Sequence, residues 1–86
     1  MILQHRFEHA DNQRLAQLCG PLDEHLRRIE AALKVQVTRR GEQFAVEGPR
    51  GGAARAMALI KRLYEQAGRP IDPQALELAF AEALTL

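Results

Sequence analysis

The 86 residues, 47% hydrophobic and 27% charged, suffice for one small globular domain with a thin core and leave no mass for a second, since a chain this short buries only about 60% of its unfolded surface. The lone cysteine, Cys19, excludes an internal disulfide and fits a reducing, cytoplasmic compartment, and no stretch approaches a membrane span or a cleavable signal peptide. The net charge of +1 conceals a division. Residues 1–69 hold all 12 Lys and Arg with eight acids, hence +4, whereas residues 70–86 hold Asp72, Glu77 and Glu82 and no base, hence −3. A basic body of this size permits an anionic partner such as RNA without demanding one.

In chain order, Leu3, His5 and Phe7 alternate with Gln4 and Arg6, which predicts an edge strand with one half-buried face. Asp11 is placed to cap a helix over Asn12–Cys19, whose Leu15, Leu18 and Cys19 share a face. Gly20 can take the positive φ that ends this helix, and Pro21 suits the first position of the next, where no N–H is needed. From there Leu22, Leu26, Ile29 and Leu33 recur at helical spacing and are expected to form one core-facing stripe. Val35 and Val37, then Phe44 and Val46, alternate with polar residues about Arg40-Gly41-Glu42, the pattern of a β-hairpin. After Gly48-Pro49-Arg50-Gly51-Gly52 comes a helical stripe of Ala53, Met57, Ile60 and Tyr64, stopped at Gly68-Arg69-Pro70. Asp72-Pro73 then opens a last helix with Leu76, Ala79, Phe80, Ala83 and Leu84 on its apolar face.

The expected order is β-α-α-β-β-α plus a C-terminal helix. Helices that each need a sheet face define an α+β, two-layer α/β sandwich. Residues 1–69 form the domain and residues 70–86 the added helix. That helix either packs on its own domain or docks on a neighbouring domain or a second copy of the chain.

This order, with a Gly-containing turn between the first two helices, is similar to the KH fold of RNA-binding modules. The run from Asn12 to Leu26, with Gly20-Pro21-Leu22-Asp23-Glu24 its most specific part, together with Ile29-Glu30, Arg39-Arg40-Gly41, Phe44 and Arg62-Leu63-Tyr64-Glu65, resembles the KH-like N-terminal region of PhoH-like proteins, named for phosphate starvation. The resemblance spans essentially the whole chain. It implies a fragment of a longer cytoplasmic ATP-binding protein whose P-loop ATPase half, linked with RNA metabolism, lies beyond Leu86. ATP and magnesium belong to that half, because no Gly-x-x-x-x-Gly-Lys-Ser/Thr occurs here: Gly48–Gly52 lacks both the lysine and the hydroxyl. No catalytic, cofactor or metal residue is therefore expected within these residues, and the module is expected to recruit RNA or a protein partner.

In a KH domain a Gly-x-x-Gly loop lets the nucleic-acid backbone approach a helix N-terminus. The matching residues are Gly20-Pro21-Leu22-Asp23, where an acid replaces the second glycine and proline removes a donor; Asp23 and Glu24 also suit the start of their own helix. Gly20, Arg27, Arg28, Arg39 and Arg40 are the candidate RNA-contacting residues, with Lys34 nearby; a solvated polar face is the alternative use of the same charges. Phe7, Phe44, Tyr64 and Phe80 lie on apolar stripes and suit the core better than base stacking. A Cys19–His25 nucleophile is the remote reading, since Cys19 continues an apolar face, and His5, His9 and His25 lack metal-ligand spacing. The competing role is a protein-interaction or oligomerisation module that binds no RNA, with self-association through the last helix.

Overall fold

The computed structural model describes residues 1–8, 11–69 and 71–85; His9, the Pro70 of the expected joint and Leu86 lie outside the described residues. The elements are β1 (Ile2–Arg6), α1 (Asn12–Cys19), a 3-10 turn (Pro21–Asp23), α2 (Glu24–Leu33), β2 (Gln36–Arg40), β3 (Gln43–Glu47), α3 (Arg50–Gln66) and α4 (Pro73–Thr85). Their starts have local causes. Asp11 Oδ1 accepts the Gln13 N–H at 2.8 Å, and Asp72 Oδ1 accepts the Gln74 N–H at 3.2 Å, each satisfying a donor that the first helical turn leaves free. The C-terminus of α3 is covered by Arg14, whose Nη1 donates to the carbonyls of Tyr64 and Glu65 at 3.0 and 3.3 Å.

The three strands form one antiparallel sheet in the order β1-β3-β2, with β3 at its centre. Leu3 pairs with Val46 and His5 with Phe44 on one side, and Val37 with Val46 and Arg39 with Phe44 on the other. Because side chains alternate along a strand, this register sends Phe44, Val46 and Val37 towards the helices. It leaves Ile2, Gln4, Arg6, Gln36, Thr38 and Arg40 on the opposite, uncovered face. The hairpin closes through Gly41-Glu42, with Gly41 at φ 59°.

Helices α2 and α3 lie against the covered face and α1 packs on both of them, so the architecture is the expected two-layer α+β sandwich. Phe44, Leu15, Leu18, Ile29, Ile60 and Leu63 are its fully buried centre, and each such side chain contributes about 1.5–3 kcal/mol of transfer free energy. Phe7 stacks on Tyr64 at 4.1 Å and meets the edge of Phe44 at 5.5 Å, closing the β1 end of the core. All four aromatic residues singled out from the sequence lie in or against the core.

Helix α4 packs on α3 and α2 and, among the described residues, touches no strand. It buries Leu76, Ala79, Phe80 and Ala83, so of the alternatives for this helix the local one is seen. Leu84, expected on the same face, is half exposed. Arg28 joins Glu77 at 2.8 Å and lies over the Phe80 ring at 4.5 Å, while Arg62 pairs with Glu82. The acidic last segment is thus laid against the basic body that precedes it. No helix among the described residues is long and apolar enough to cross a membrane.

Candidate nucleic-acid interface

The stretch from Gly20 to Glu24 departs from its expected form. Pro21 opens a 3-10 turn rather than α2, which begins at Glu24. Leu22 and Asp23 both adopt left-handed backbone, at φ 54° and 58°, which swings the Leu22 side chain out of the predicted stripe to full exposure. The stripe shortens to Leu26, Ile29 and Leu33. Within the turn the Asp23 N–H donates to the Gly20 carbonyl at 3.2 Å and the Glu24 N–H to the Pro21 carbonyl. Those two donors, which a phosphate-binding loop would present outward, are used internally.

Gly20 has a structural reason to be glycine. Its φ 74°, ψ 175° backbone is open almost only to that residue, and a Cβ there would come within 2.9 Å of the His25 ring. His25 in turn places Nδ1 3.0 Å from the Leu18 carbonyl, tying the start of α2 to the end of α1.

Beside this turn runs an open groove of about 590 Å3, walled by Asp23, Arg27 and Glu30 on one side and by Val37, Thr38 and Arg39 on the other. Its strand wall is the free edge of β2. The Val37 N–H leaves the ladder to donate to Glu30 Oε2 at 2.9 Å, so the peptide groups of Val37 and Arg39 point away from β3 and into the groove. Glu30 also accepts from Arg27 Nη1 at 2.9 Å. Burial pushes the Glu30 carboxyl up, but the bonds from Val37 and Arg27 outweigh it and hold it below the usual carboxylate range.

Arg39 is held along the groove, its Nε donating to the Gly41 carbonyl at 2.8 Å and its Nη1 reaching Cys19 Sγ at 3.3 Å. Cys19 is buried, and that burial raises its thiol above the ordinary value against the pull of Arg39. The thiol is packed away from solvent, and His25 turns its Nδ1 to the Leu18 carbonyl. Of the five candidate residues, the groove takes Arg27 and Arg39, while Gly20 opens the 3-10 turn that leads to Asp23 and does not line the groove. Arg28 is turned to α4, and Arg40 lies on the uncovered sheet face.

Sequence reasoning missed Glu30 as a strand clamp and Leu22 as an exposed side chain. Only the left-handed turn displays Leu22, and only the approach of β2 gives Glu30 its partner. Lys34, at φ 56°, ends α2. Gly48–Gly52 is a tight connection from strand to helix. Only Gly48 and Pro49 separate β3 from α3, and Gly52 is spent on close packing, where a Cβ would meet the Leu33 carbonyl at 2.8 Å. No group of three or more His, Cys, Asp or Glu among the described residues is placed to hold a metal ion.

No family model matches this chain, and no solved structure matches it.

Proposed function

We propose that this chain is the KH-like leading module of a PhoH-like ATP-binding protein and that it recruits single-stranded RNA along the β2 groove. The observation that carries the reading is the open groove bounded by the turn after Gly20, by α2 and by the outer edge of β2, where Glu30 already takes the Val37 N–H and the Arg39 peptide group faces away from β3. A base edge can bond that peptide group, and Arg27 and Arg39 can meet phosphates. ATP and magnesium would be held by a P-loop domain elsewhere in the protein, since the residues here do not fit them. The role is recruitment for that ATPase rather than chemistry.

A protein partner is the second reading, and specific features favour it. The groove balances Arg27 and Arg39 against Asp23 and Glu30, the turn donors are satisfied internally, and Leu22, next to Asp23 in the turn, stands wholly exposed.

The test is a fluorescence-anisotropy titration of labelled single-stranded RNA at low and near-physiological salt. Salt-sensitive binding that drops in Arg27→Ala/Arg39→Ala and persists in Arg40→Ala supports the groove. Absence of binding at low salt assigns the groove to a protein segment. Reading the coding sequence past Leu86 tests the parentage, and the lack of a P-loop motif there would remove the ATPase assignment.

A further inference from the structure

A second surface, sharing no residue with the β2 groove, lies where α3 and α4 meet. Between the two helices runs an apolar groove of about 240 Å3, floored by Ala58, Leu59, Ala79 and Ala83 and rimmed by Arg55. Arg62 and Glu82 meet across it as an ion pair. Along the exposed side of α3, Arg50, Arg55 and Lys61 have no carboxylate partner among the described residues. An apolar floor beside unpaired cations is complementary to an apolar helix that carries acids.

The chain already displays the fit in miniature. Helix α4 seats Leu76 and Phe80 on the body while its two acids, Glu77 and Glu82, take Arg28 and Arg62. The outer side of α3 sets the same kind of cation beside the small exposed side chains of Ala54 and Ala58. A second copy of this chain is a poor occupant, because the acids flanking the exposed Leu78 and Leu84 of its α4 are those same two, already paired.

We propose that this groove docks a helix from a different protein chain, with leucine or small side chains on one face and carboxylates beside them. The docked helix lies along α3, its apolar face on the groove floor and its acids on Arg55 and the cations next to it. The interaction goes beyond RNA recruitment and does not depend on it.

The experiment titrates the 86-residue protein into a labelled synthetic peptide of about 18 residues, long enough for marginal helicity. The peptide carries a Leu/Ala stripe flanked by Glu, and a control carries Lys in place of Glu. Expected are saturable binding of the acidic peptide alone, amide shifts along exposed α3 and at Ala79–Ala83, and a loss of about tenfold or more in Arg55→Glu. Ala58→Arg, a change at an exposed position, fills the floor and is expected to weaken binding similarly while leaving the circular dichroism spectrum unchanged. The proposal is overturned if the acidic peptide fails to bind at low salt, if the basic control binds equally, or if both variants bind like the parent. Concentration-dependent dimerisation that Arg55→Glu abolishes would also overturn it, by giving the groove to a second copy.

Discussion

Leu22 and Asp23 sit side by side in left-handed backbone, a conformation that costs an L-residue roughly 1–2 kcal/mol. Since the Leu22 side chain packs on nothing, Leu22→Gly should raise stability in urea unfolding by about 0.5–1 kcal/mol after allowance for glycine's greater unfolded-state entropy. Gly20→Ala should do the reverse, lowering stability by about 2 kcal/mol or more, because both φ and the His25 ring forbid the methyl group. Glu30 makes a pH prediction. Its carboxyl titrates below that of an unfolded glutamate, near 4.3, so between the two values the native state binds fewer protons. Its contribution is therefore complete above the ordinary glutamate range and is lost as pH falls through the native value. The stability gap between the parent and Glu30→Gln should narrow from about pH 6 to about pH 3, where chemical denaturation can follow it.

Helix α4 is part of the core although its sequence suits export to a partner. Phe80 is buried between α2 and α3 under the Arg28 guanidinium, so Phe80→Ala should cost about 3–4 kcal/mol in thermal or urea unfolding. By contrast Glu77→Lys should cost under about 1 kcal/mol, as the Arg28–Glu77 pair is solvent-exposed. The difference between these two variants separates apolar packing from charge as the cause of docking. If Glu77→Lys proves the more damaging, electrostatics rather than burial holds the helix.

Across the whole molecule, the buried residues of α4 join the same apolar cluster as those of the sheet and the other helices. One cooperative transition is expected, with circular dichroism and the fluorescence of Tyr64, the one tyrosine, giving the same midpoint. An earlier melting step in helical signal alone would show α4 to be a separately folding attachment. The charge division also belongs to this scale. Two of the three acids of the last segment, Glu77 and Glu82, are paired with Arg28 and Arg62, while cations remain on the β2 groove and on α3.

Much of the fold was legible because its causes are local. Asp11 and Asp72 cap the helices that follow them, Val37, Phe44 and Val46 alternate into the core, and Ala53, Met57 and Ile60 repeat at helical spacing. The groove was half legible: Arg27 and Arg39 were marked by charge, but Arg28, one residue away, faces α4 because 100° of helical rotation separates them. The 86 residues alone thus determined the order of elements, the two-layer class and the apolar stripes, all of which follow from neighbours in sequence. The tertiary structure decided the outward turn of Leu22, the reach of Glu30 to Val37 and the seat of α4, since each depends on which distant groups the packed chain brings within bonding distance.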